Sequence, residues 1–318
     1  MRKTTLLVCI ILLICIAHVA VAQEKVRLPG ALNWHESFEA ACEASRASDN
    51  PILAFIYVET HPGSIALSNV LMGREPVRER LAKFELLGIP YNSERHEDFL
   101  QQYDVREKVR SATDGEGQVT IYPSLPTIIY VDNDGTEYYR DKGFTPLPAS
   151  QMNSDSRLVE LAEKAFASHL KQVNHLITLL RKTRHDPTAR AHAAAGHIFL
   201  EMTQYDRATE HLQAAMALDP ANETGAFADA YLDSIILKIA DHTERCLQQL
   251  EDFRGRFPDS DRLFEVEYYR AVCLVALERY GQARTVLEQV ISDTEGTDAA
   301  NATWFLNAQD LLESVNNM

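Results

Sequence analysis

The stretch Phe55–Leu67, FIYVETHPGSIAL, decides how the first half of the chain folds. Its first residues complete the apolar run NPILAFIYVE, the length and character of a strand covered on both faces. His61-Pro62-Gly63-Ser64 breaks that run. Ile65, Ala66 and Leu67 then resume an apolar pattern. The expectation is a buried strand that passes through a four-residue turn into a helix, with Ser64 able to cap that helix. The helix expected after Gly63 presents unpaired N–H groups, which favour an anionic or carbonyl-bearing ligand.

Outward from this point, helix and strand patterns alternate between Trp34 and about Arg184. WHESFEAACEASRAS precedes the strand with helical spacing; EPVRERLAKF is helical, ELLGIPY a short strand and RHEDFLQQYDV a third helix. In SLPTIIYVDNDGTEYYRDKGF two strand-like runs flank Asp132-Asn133-Asp134-Gly135, whose Asp-Gly end suits a hairpin turn needing positive φ. A long helix begins at about Asp155, and TRHDPTAR reads as a joint. The polar insertion Arg110–Val119 reads as a solvated loop or a lid, and GEGQ inside it lacks the strand-glycine-helix setting of a nucleotide loop. Strands with interposed helices and a terminal hairpin predict an α/β sandwich around a mixed sheet.

From Trp34 to Lys164 these features resemble the thioredoxin-like superfamily: the strand-turn-helix FIYVETHPGSIAL, the SLPTIIYV segment and the DNDGTEYYRDKGF hairpin. The resemblance implies that Pro126, in LPT, is a cis proline facing the turn and bordering a substrate groove. It also places His61 and Ser64 where that superfamily keeps its two working cysteines. Disulfide exchange needs a thiolate to attack and a second thiol to resolve the mixed disulfide, and neither an imidazole nor a hydroxyl can do this. His61, Pro62, Gly63, Ser64 and Pro126 are therefore read as a binding remnant, with no catalytic residue, cofactor or metal assigned. Only folding could bring His35 or His96 to His61 as further metal ligands.

The start of the chain carries Arg2 and Lys3, an apolar run from Leu6 to Ala17, and Ala20-Val21-Ala22. This is the pattern of a removable secretory leader ending at Ala22, and the apolar run falls short of the roughly 20 residues of a spanning helix. An extracytoplasmic protein, periplasmic or secreted, with no membrane insertion after cleavage, is expected. Removal of the leader leaves Cys42, Cys246 and Cys273, an odd number that forbids a complete disulfide framework and allows at most one bridge; buried thiols are the first reading and a single bond the alternative. The formal charge of −15, about −17 without Arg2 and Lys3, repels phosphate backbones and argues against nucleic-acid binding.

Residues from Thr188 onward are alanine-rich and periodic. Gly196, Ala208, Ala215 and Pro220 lie at intervals repeated by Ser234, Cys246, Phe253 and Pro258, and in part by Ala271, Ala283 and Val290. Small residues at such intervals let paired helices approach, and each proline stops the second helix. Three stacked helical hairpins follow, capped by NATWFLNAQDLLESV. AAAGHIFLEMTQYDRATEHLQAAMALDP resembles a tetratricopeptide repeat, as does YYRAVCLVALERYGQARTVLEQVI; the middle unit matches weakly. The repeat spacing exceeds that motif's roughly 34 residues, so longer connections between units are expected. His185, His192, His197 and His211 follow no single helical face and read as a surface scatter.

The domains are thus expected at 1–22 (leader), 23–184 (thioredoxin-like) and 185–318 (tetratricopeptide-like). The function expected is an exported binding or scaffold protein that holds a protein or peptide on its repeat surface, its first domain lacking redox chemistry. The alternative, raised by the resemblance and lowered by the missing cysteines, is a thiol-disulfide accessory or quality-control factor of the cell envelope.

Overall fold

The computed structural model describes residues 25–105, 110–114, 117–121, 125–143, 156–295 and 302–317. The expected leader, 1–22, lies outside them. Contacts divide the chain into two units between Asn174 and His175, inside a long helix.

In the first unit, β1 (Trp34–His35) leads to α1 (Phe38–Ser48), whose first turn is capped by the Ser37 hydroxyl accepting from the Ala40 N–H. β2 (Ile52–Tyr57) is buried throughout, as its unbroken apolar run requires. After the turn, α2 opens as Pro62–Ile65 and continues through Ala66–Met72 with π-type hydrogen bonding. α3 (Glu75–Leu81), β3 (Glu85–Pro90) and, after a 3₁₀ turn, α4 (Glu97–Gln102) follow. β4 (Arg110–Asp114) and β5 (Gly117–Ile121) pair antiparallel, so the insertion expected to be a loop contains a β-hairpin. Only Ala112, Val119 and Ile121 alternate with polar residues here, too short a pattern to stand out from a loop. β6 (Thr127–Val131) and β7 (Glu137–Lys142) form the terminal hairpin, with Gly135 at φ 84°, where a side chain would strain the turn.

The sheet order is β1-β3-β2-β6-β7, parallel through β1, β3 and β2 and antiparallel from there on. Ile52, Ala54 and Ile56 of β2 pack on one face with Phe99, Leu100 and Tyr103 around α4 and with Ala41 and Cys42 of α1. Strand alternation sends Leu53, Phe55 and Tyr57 to the other face, where the Phe55 and Tyr57 rings stack at 5.2 Å. The long helix α5 (Ser156–His185) carries buried Phe166 and Leu170, and its His169 reaches Asp141 of β7 at 2.8 Å. A mixed five-stranded sheet with helices on both faces is compatible with the thioredoxin-like sandwich expected.

The second unit is helical. Its hairpins are α6 (Ala189–Glu201) with α7 (Tyr205–Leu218), α8 (Ala226–Ile236) with α9 (Thr243–Arg256), and α10 (Leu263–Ala276) with α11 (Tyr280–Thr294); α12 (Thr303–Asn316) follows. The small residues picked out by spacing lie at the crossings: Ala208, Ala215, Cys246, Ala271 and Ala283 are all buried. A Cβ on Gly196 would sit 2.7 Å from Leu212 Cδ2 and 3.2 Å from the Leu212 backbone nitrogen, so hydrogen alone allows α6 and α7 to approach this closely. The first and third hairpins share one tight turn, with Thr203 and Glu278 left-handed at φ 58° and 60°. In each, the next N–H reaches back five residues, Gln204 to Phe199 and Arg279 to Leu274. Residues 219–225 and 257–262 make the longer connections between units.

Candidate functional site

Two regions carry polar chemistry, one in each unit. The antiparallel register that pairs Ile56 with Thr127 puts Pro126 one step further, at the end of β2 from which the turn departs. The Leu125–Pro126 peptide is cis. The fold therefore puts Pro126 at the strand end from which the His61–Ser64 turn departs, although Ser64 and Pro126 are 62 positions apart along the chain.

The capping role differs from expectation. Pro62 occupies the first helical turn, which makes His61 the cap; its Nδ1 accepts from the Ser64 N–H at 3.4 Å. Accepting requires the neutral imidazole, and burial holds the His61 pKa below its ordinary value. Ser64 is buried, and its hydroxyl has no hydrogen-bond partner among the described residues. The signal was present in the sequence, since a proline at the first helical position marks the residue before it as the cap. With Pro62 lacking an N–H and that of Ser64 taken by His61, the helix start offers fewer free donors than its position suggested.

His35 bonds Glu85 at 2.8 Å across β1 and β3, and His96 is buried at the start of α4. Among the described residues no group of three or more His, Cys, Asp or Glu could hold a metal ion. Cys42, Cys246 and Cys273 are free and buried. Burial raises the Cys42 and Cys246 pKa values, and burial with the neighbouring Cys246 pushes Cys273 up to about 12, so none is poised as a thiolate.

The second region is an open groove of about 1410 Å³ within the helical unit. The first helix of every hairpin faces it: α6 through Ala194 and His197, α8 through Asp229 and Asp233, α10 through Glu265 and Tyr269; α12 adds Trp304. This follows from the alternation of the array, in which first helices share one side.

A buried ionic network underlies the groove. Asp233 is 1% exposed and receives His197 Nδ1 at 3.0 Å and an Arg262 guanidinium nitrogen at 2.7 Å. Arg262 also binds Glu265 through two contacts, at 2.7 and 3.0 Å, and donates to the Asp229 carbonyl at 3.2 Å. Burial pushes Asp233 toward protonation, but the His197 hydrogen bond and the Arg262 charge more than reverse this and hold its pKa below the ordinary value. The Asp233 hydrogen bond raises the His197 pKa against the effect of burial.

Of the four histidines expected to scatter, His185 is exposed, but His192, His197 and His211 are not scattered. His192 and His211 meet Nδ1 to Nδ1 at 3.2 Å across α6 and α7, while His197 joins Asp233 on α8. Two imidazoles at that distance share one N–H, so at least one is neutral. Burial, His192 and Arg207 hold His211 down at about 4.

No protein-family profile and no curated protein matches the chain. Among solved structures, a chain titled DsbH Oxidoreductase aligns with 43% of this chain and 88% of its own length, at 15% identity and a TM-score of 0.27. A superposition that loose leaves the fold to be argued from the sheet topology itself. No helix among the described residues is long and apolar enough to cross a membrane. The class defined by fold and sites is an α/β unit with a five-stranded mixed sheet, followed by an array of helical hairpins.

Proposed function

We propose that this is an exported binding protein, in which a thioredoxin-like domain without thiol chemistry precedes a tetratricopeptide-like array that holds a polypeptide partner in its groove. One observation carries the reading: all three hairpins and α12 contribute to a single open groove of about 1410 Å³, a volume suited to several residues of a bound segment. Histidine and serine at the turn, and three buried cysteines with raised pKa values, weigh against disulfide exchange.

The test is a peptide array probed with the purified chain, repeated with Tyr269→Ala/Trp304→Ala in the groove and His61→Ala at the turn. Segments should be retained by the parent chain and by His61→Ala, and lost from the groove variant. An insulin-reduction assay run alongside should show no turnover. Capture unaffected by the groove substitutions would overturn the reading.

A further inference from the structure

We propose that the groove recognises a basic segment, seating a lysine or arginine side chain of the bound polypeptide against Asp229, in a lining that also carries Asp259 and Asp261. The inference rests on the groove reading above and adds the chemistry of the occupant.

The cations and carboxylates that line the groove differ in how many are already in contact with a partner. Three arginines line the groove. Arg262 is engaged by Asp233 and Glu265. Arg190 donates twice to the Thr224 carbonyl, at 3.0 and 2.8 Å. Arg256 lies over the rings of Phe227 and Phe257, 4.8 and 5.0 Å from their centroids. His197 is held by Asp233. Among the lining carboxylates, Asp233 and Glu265 have cationic partners and Glu201 lies 3.6 Å from His197. Asp229, Asp259 and Asp261 have no side-chain hydrogen bond or ion pair to any described residue.

Asp229 is the most informative of the three. It is half-buried on α8, one helical turn before Asp233, and Arg262 touches its carbonyl but not its carboxylate. Burial raises its pKa, and Asp261 and Asp233 add to the effect while Arg262 opposes it. Such a carboxylate gains from a cation brought by a ligand, since part of its desolvation has already occurred on folding. Tyr269 and Trp304 line the same groove and supply the aromatic faces on which guanidinium and ammonium groups rest. An acidic or phosphorylated segment would meet three carboxylates that no cation among the described residues contacts, while the arginines are turned to Asp233 and Glu265, to the Thr224 carbonyl and to the Phe227 and Phe257 rings. A lone metal ion fits poorly, because no group of three ligands is present among the described residues.

The experiment uses the full mature chain and three fluorescent twelve-residue peptides of one Gly-Ser-Leu-Tyr framework, carrying two Arg, two Gln or two Glu. Fluorescence anisotropy should show binding of the Arg peptide, weakened by raising salt from 50 to 500 mM, and little binding of the Glu peptide. Asp229→Asn should weaken the Arg peptide about tenfold. Asp229→Lys should shift preference toward the Glu peptide. If Asp229 variants unfold, Asp261→Asn, an exposed position, should reproduce the loss in part. Equal, salt-insensitive binding of the Arg and Gln peptides would overturn the basic preference and leave the groove reading standing. Binding of any peptide that Tyr269→Ala/Trp304→Ala leaves unchanged, or no binding at all, would overturn both.

Discussion

His197 Nδ1 lies 3.0 Å from Asp233 Oδ2, and the opposite oxygen of the same buried carboxylate lies 2.7 Å from Arg262. One acid on α8 thus ties α6 to the entry of α10, linking three successive hairpins beneath the groove. Deleting one member of such a network leaves the others buried without a counter-charge. Asp233→Ala is expected to destabilise the chain by about 3 kcal/mol. Asp233→Asn, which keeps the shape and one acceptor, should cost less. Urea denaturation of the three proteins checks the ranking, and equal midpoints would remove the network's structural role.

The same pair makes stability depend on pH with a definite sign. The folded His197 pKa is raised above the ordinary 6.5, so its contribution is full below pH 6.5 and is lost as pH rises through the folded value. His197→Gln should therefore lower the melting temperature more at pH 6 than at pH 9. A loss independent of pH would indicate packing rather than protonation.

His211 acts in the opposite direction. Its folded pKa of about 4 lies below the ordinary 6.5, so the unfolded chain takes up the extra proton and stability falls as pH drops from 6.5 toward 4. His211→Phe, which keeps the ring beside Phe199 but cannot be protonated, should flatten that acid limb in thermal melts at pH 4 to 7. An unchanged acid limb would show that other groups control it.

Thr203 and Glu278 occupy left-handed backbone without being glycine. Glu278→Gly should stabilise the third hairpin by about 0.5–1 kcal/mol, and Thr203→Gly the first by a similar amount, because glycine adopts this conformation without Cβ strain. Thermal melts of the single and double variants give the measurement. The effects should add, since the two turns belong to different hairpins.

At the turn, the question is whether sulfur is all that is missing. His61→Cys/Ser64→Cys restores two thiols at helical spacing, and should yield a bridge that dithiothreitol removes, detected by thiol titration and mass. Turnover in the insulin assay should appear in the double variant and not in the parent. If the double variant forms no bridge, the turn geometry is unsuited to exchange and the thioredoxin-like reading of this unit weakens.

The legible and illegible parts of this molecule divide by the range of the interactions involved. β2, the helix opening at Pro62, the Asp134-Gly135 turn and the alternating helices after Thr188 could all be read, because each follows from patterns within a few residues of itself. The cap at His61 is encoded by Pro62, although Ser64 is the residue type more common at caps. The β4–β5 hairpin was not legible, because its alternation, Ala112 in β4 with Val119 and Ile121 in β5, is short and set among polar residues.

By itself the amino-acid order determined the two-part organisation, the intervals at which helices pair and the absence of sulfur from the turn, since local propensity, apolar period and residue identity need no long-range contact. Tertiary structure alone decided which polar residues meet. His197 and Arg262 stand 36 and 29 positions from Asp233, and their convergence depends on hairpins stacking in register. Stacking also determined which carboxylates have partners: Asp233 is paired on both sides, while Asp229, one turn away on the same helix, faces the groove with none among the described residues.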